Sequence, residues 1–101
     1  MSQDVRATEE QSTERRANLL GLSYTNTSTY EPKPLFKELL PLKDLYALRV
    51  IPLQVSKGVI KFGITTTTSQ QTMTQLTNQF LDSRVSFTLI SDGGYRDYMK
   101  L

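Results

Sequence analysis

Arg49-Val-Ile-Pro-Leu-Gln-Val-Ser-Lys-Gly-Val-Ile-Lys-Phe-Gly-Ile-Thr65 reads as a β-hairpin. Val50 to Val55 and Val59 to Thr65 are two runs rich in strand formers. Ser56-Lys57-Gly58 breaks them, and glycine takes a positive φ at little cost. Alternation places Ile51, Leu53 and Val55 on one face of the first strand. It places Ile60, Phe62 and Ile64 on one face of the second. Together these rows predict the floor of a small core. The opposite face, with Val50, Pro52, Gln54, Val59, Lys61 and Gly63, is a mixed surface that water can wet. A lone hairpin is marginal in water, so a third strand or helices must cover its apolar side.

The flanking sequence supplies both. Downstream, Thr65-Thr66-Thr67-Thr68-Ser69 finishes the strand and caps a helix over residues 69–82, through Thr68 or Ser69. Met73, Leu76 and Phe80, with Leu81 adjacent, form its apolar stripe. Arg84 to Ile90 alternates, with Val85, Phe87 and Leu89 inward, and predicts a third strand. A right-handed helical crossover makes that strand parallel to the second. Ser91 or Asp92 then caps a final helix, Gly93 to Leu101. Upstream, Leu35 to Leu48 has helical spacing interrupted by Pro41, which predicts two short helices meeting at Leu40-Pro41. Residues 23–34 read as a loop, with a short extended stretch at Ser23 to Thr25. A helix over Thr8 to Leu20 is capped by Thr8 with Gln11 and stopped by Gly21. Residues 1–8 read as a disordered tail and residues 9–101 as a single domain. The expected class is α+β, a small two-layer domain with a mixed three-stranded sheet packed by helices.

Composition narrows the functional classes. The 101 residues carry 12 basic and 10 acidic side chains, a net charge of +2. That balance gives no electrostatic footprint for nucleic acid or a membrane surface. The sequence has no cysteine and no histidine. Thiol chemistry is excluded, and the commonest general base and transition-metal ligand are missing. No apolar run approaches the ~20 residues that span a bilayer. These features lead to the expectation of a cytoplasmic chain without direct membrane insertion, and of an isolated domain that is monomeric.

No catalytic constellation emerges. The carboxylates fall on predicted solvated faces or caps, and no spacing suggests a metal site. There is no Walker-type loop and no dinucleotide fingerprint, so no cofactor is expected. The basic residues are dispersed, without the interleaved aromatics of a nucleic-acid platform. A non-enzymatic interaction module is the reading that remains. Its contacts are expected at a sheet edge or at two aromatics of the last helix, Tyr95 and Tyr98.

The order of short motifs resembles a known family. A helix ends in Leu20-Gly21-Leu22, and Leu39-Leu40-Pro41 follows a tyrosine-containing stretch. Then come Val50-x-Pro52-Leu53 and Ile60-x-Phe62-Gly63-Ile64, before a helix, an alternating strand and a final helix. Over about residues 15–101 this pattern is similar to the N-terminal domain of type II secretion and type IV pilus assembly ATPases. The chain has Thr65 to Thr68 where that family often has Asp-Pro, and Ser83-Arg84 where it often has glycine. The resemblance implies a non-catalytic docking and regulatory domain ahead of its own ATPase domain. It implies as partner the cytoplasmic domain of an inner-membrane assembly protein, with peripheral membrane association through that partner. Some relatives bind the second messenger cyclic di-GMP through Arg-Leu-Gly motifs. This chain lacks that triplet, so a nucleotide-sensing domain, or a stand-alone adaptor, is the alternative expectation.

Overall fold

Val50–Ser56 (β2) and Val59–Ile64 (β3) pair antiparallel, and Gly58 turns the chain at φ +77°. The computed structural model describes residues 2–27 and 39–100. Around the hairpin stand α1 (Ser2–Leu20), β1 (Ser23–Tyr24), α2 (Leu42–Leu48), α3 (Gln70–Gln79), β4 (Arg84–Leu89) and α4 (Asp92–Met99). The sheet order is β1-β4-β3-β2, with β4 parallel to both β3 and β1. The architecture is α+β, as expected. The sheet gains a fourth strand, because the extended stretch at Ser23-Tyr24 pairs with Thr88 and Leu89.

A bulge changes the faces of β2. Pro52 lies opposite Phe62 and Gln54 opposite Lys61, so Leu53 is the extra residue. One inserted residue reverses the alternation beyond it. Val50, Pro52 and Val55 therefore share a side with Ile64, Phe62 and Ile60. Ile51 and Leu53 lie on the other side, where Leu53 and Ile90 close over Gly63. This corrects the expected grouping of Ile51, Leu53 and Val55. Neither face of the hairpin's open end is wet, for Val50 and Ile51 are both fully buried.

Neighbouring residues of a strand point to opposite sides, and Phe62 and Gly63 show which helix lies where. Phe62 stacks on Phe87 at 5.9 Å between ring centroids, and Phe80, just past α3, lies 6.1 Å away. On the Gly63 side the Tyr95 hydroxyl of α4 donates to the Leu45 carbonyl of α2 at 2.7 Å.

The helices begin and end for local reasons. Ser69 caps α3, its Oγ accepting from the Thr72 N–H at 3.0 Å. Ser91 caps α4 in the same way through the Gly94 N–H at 2.9 Å. Pro41 is the residue before α2 rather than its first helical residue, with extended dihedrals. Of the first short helix expected before it, all but Leu39 and Leu40 lies outside the described residues; those two form a turn and a bend. α1 begins at Ser2, so Thr8 is not its cap and the helix runs through the stretch read as a polar tail. It stops at Gly21, φ +71°, as the sequence indicates. No helix among the described residues is long and apolar enough to cross a membrane.

Candidate functional site

β3 and β4 lie side by side and run in the same direction, yet the chain leaves them toward opposite sides. After β3 it enters α3, whose end packs on Phe62; after β4 it passes Ile90, which packs over Gly63. In a sheet with parallel strands, such a divergence opens a crevice at the carboxyl ends, where ligands commonly bind. A cleft of about 210 Å³ lies there, lined by Glu9, Ser12, Thr13, Arg16, Thr66, Ile90 and Asp92. The first four come from α1 at helical spacing, so one face of that helix forms a wall of the cleft. The lining pairs the carboxylates of Glu9 and Asp92 with the Arg16 cation and three hydroxyls. It suits a polar ligand that both donates and accepts hydrogen bonds.

The threonine run builds the floor. The Thr65 N–H donates to the Thr68 hydroxyl at 3.0 Å, and the Thr68 N–H returns to the Thr65 carbonyl at 3.1 Å. The Thr65 and Thr67 hydroxyls lie 2.9 Å apart. The Thr68 hydroxyl donates to the Arg49 carbonyl at 2.6 Å. Three of the four threonines are thus occupied in holding the turn, and the exposed Thr66 is the one that faces the cleft.

Arg49 ties this floor to α4. It ends α2 in a left-handed conformation, φ 59°, which costs a non-glycine residue about 1–2 kcal/mol. Its Nε donates to the Thr67 hydroxyl at 3.2 Å. Its guanidinium lies 4.6 Å from the Tyr95 ring centre and 3.8 Å from Asp92 Oδ1. That Asp92 oxygen is buried and makes no hydrogen bond. Burial pushes the Tyr95 phenol above its ordinary pKa, while the Arg49 charge pulls the other way.

Behind the cleft, Glu10 joins three elements. Its carboxylate accepts from the Tyr24 hydroxyl of β1 and from Ser91, the cap of α4. Glu10 is 7% exposed, and a buried carboxylate requires such donors. Among the described side chains of α1, Ala17 is the buried apolar residue, while Leu19 and Leu20 are exposed.

Tyr95 and Tyr98, the two aromatics named as candidate contacts, lie outside this cleft. Tyr95 and Tyr98 are 2% and 5% exposed and belong to the core. The apolar face of α4 packs inward, where the Tyr95 hydroxyl reaches the Leu45 carbonyl of α2. Arg49, Glu10 and Asp92 escaped the sequence reading. Arg49 and Asp92 are ordinary charged residues until the fold brings them together. Glu10 looked like one acidic residue on a solvated helix. Its one available signal was α1 itself, too poor in apolar residues to dock without a polar anchor. Among the described residues no group of three or more potential ligands is placed to hold a metal ion.

No protein-family model and no curated protein sequence matches the chain. A solved structure does. The fold is shared with the chain titled "Structure of MshE with cdg". The TM-score is 0.69 at 19% sequence identity, over 91% of this chain and 66% of that one. The likeness establishes a common fold, and this chain spans less than two thirds of the other's length.

Proposed function

We propose that the chain is a non-catalytic docking and regulatory module of a type IV pilus or type II secretion assembly ATPase. It works at the cytoplasmic face of the inner membrane, against the cytoplasmic domain of an assembly protein there and beside its own ATPase domain. The observation that carries the reading is the fold shared with MshE across nine-tenths of this chain, together with the order of the Leu39-Leu40-Pro41, Val50-x-Pro52-Leu53 and Ile60-x-Phe62-Gly63-Ile64 motifs. The native coding region past Leu101 tests it. An in-frame continuation containing Gly-x-x-x-x-Gly-Lys-Ser/Thr is the expected result. A stop codon there removes the ATPase and leaves a stand-alone adaptor.

A second reading rests on the bound "cdg" in the solved chain's title: the module senses cyclic di-GMP. This chain has no Arg-Leu-Gly triplet, so the family's motif is not carried over. The cleft of Arg16, Thr66 and Asp92 would have to provide the contacts. Chemical-shift changes at those residues on adding cyclic di-GMP support this reading, and an unchanged spectrum eliminates it.

A further inference from the structure

The two edges of the sheet differ. β2 is an outer strand, and Pro52 and the bulge at Leu53 interrupt it; both features hinder pairing with another strand. β4 is an inner strand only at its carboxyl end, because β1 pairs with Thr88 and Leu89 alone. Beside Arg84 to Phe87 no strand lies among the described residues.

The hydrogen bonds of β4 show what this opening presents. The Arg84 N–H donates to the Gly58 carbonyl and the Ile90 N–H to the Ile64 carbonyl, each at 2.8 Å. In a parallel ladder alternate residues face alternate neighbours, so even-numbered residues of β4 bond to β3 and odd-numbered ones face away. The Leu89 carbonyl accepts from the Thr25 N–H at 3.0 Å on that outer side. The N–H and carbonyl of Val85, and the N–H of Phe87, therefore point outward with no strand among the described residues to meet them.

The side chains on the two faces of this edge differ in kind. Val85 and Phe87 are half-buried, on the side of half-buried Phe80, and Leu81, in the turn leading into β4, is 77% exposed. On the other face stand Arg84 and Ser86, with Lys61 in register beside Ser86 and no acidic residue in those rows.

We propose that the open edge of β4 receives an extended segment of another protein, which adds a strand below β1. Outward main-chain groups in an alternating pattern are satisfied by a strand, since a helix has none to offer. The segment alternates apolar residues, set on Val85 and Phe87, with acidic ones, set beside Arg84 and Lys61. This assignment rests on the docking reading and names the surface used.

A capped peptide alternating valine and glutamate is the probe, used with the full chain. Binding is expected to slow amide exchange at Val85 and Phe87 by at least about tenfold. N-methylating the alternate amides of the peptide that face β4 removes its donors, and is expected to weaken binding at least about tenfold. The protein is unaltered in that comparison, so folding of a variant does not enter. No binding overturns the proposal, as does binding that leaves Val85 and Phe87 unprotected or is indifferent to N-methylation. If the assembly protein's cytoplasmic domain binds yet leaves these two amides unprotected, docking survives and the edge assignment falls. If that domain does not bind at all, the docking reading falls and the peptide still decides the edge.

Discussion

The guanidinium of Arg49 lies 4.6 Å from the centre of the Tyr95 ring, and the Tyr95 hydroxyl donates to the carbonyl of Leu45, four residues before Arg49. This closed arrangement pins the end of α2 to α4 and aims Arg49 at Thr67 and Asp92. It also explains why a residue other than glycine sits at φ 59°: the contacts of the side chain offset the backbone strain.

Replacing Arg49 separates those two contributions. Arg49→Ala keeps the unfavourable dihedral and loses every side-chain contact. Arg49→Gly loses the contacts and relieves the strain. The glycine variant is expected to be more stable than the alanine variant by about 1 kcal/mol, measured as the difference in urea midpoints at constant m-value. Equal stability of the two would mean that the strain is no larger than the entropic cost of ordering a glycine.

Glu10→Gln tests the anchor of α1. An amide offers one acceptor oxygen where the carboxylate offers two, so either Tyr24 or Ser91 can no longer donate to this side chain and must accept from its NH2 instead. A loss of roughly 1–3 kcal/mol is expected, and the Gly94 amide at the α4 cap should exchange faster. Undiminished thermal stability would show that α1 docks without this network.

Gly63→Ala probes the close approach of the hairpin to Ile90. An added Cβ would lie 3.1 Å from Ile90 Cδ1 and 3.2 Å from Leu53 Cδ1. Overpacking of this kind costs about 1–3 kcal/mol. A neutral result in chemical denaturation would mean that both side chains shift aside freely.

Tyr95 predicts a loss of stability in alkali. Its folded pKa is raised, chiefly by burial. Its contribution is therefore complete below the unfolded tyrosine pKa of about 10 and is lost as pH rises through the folded value. Tyr95→Phe forfeits the bond to Leu45, costing about 1 kcal/mol at neutral pH, and should flatten the decline above about pH 10. Parallel decline of both proteins would assign the alkaline loss to other groups.

Much of the fold was legible in local pattern. The hairpin break at Gly58, the stop at Gly21, the serine caps and the parallel crossover into β4 all follow from residues close in sequence. The bulge at Leu53 was not legible, because Ile51, Leu53 and Val55 alternate without a flaw; only the pairing with β3 decides which side Val55 takes. β1 has two residues and no pattern of its own, and β4 creates it. The site was the least legible part. Arg49, Thr66 and Asp92 come from three separate segments, and Glu10 meets Ser91 across most of the chain. Tyr95 and Tyr98 carry polar tips that suggest a surface, yet helical spacing turns both rings into the core.

Titration calorimetry of the full chain with the cytoplasmic domain of the inner-membrane assembly protein tests the docking reading most directly. Saturable one-to-one binding, weakened by the charge-reversing substitution Arg84→Glu but not by Lys43→Ala at an exposed position of α2, which packs against β2 at the other edge of the sheet, is the predicted result. Absence of any binding heat across temperatures where the chain remains folded would contradict it.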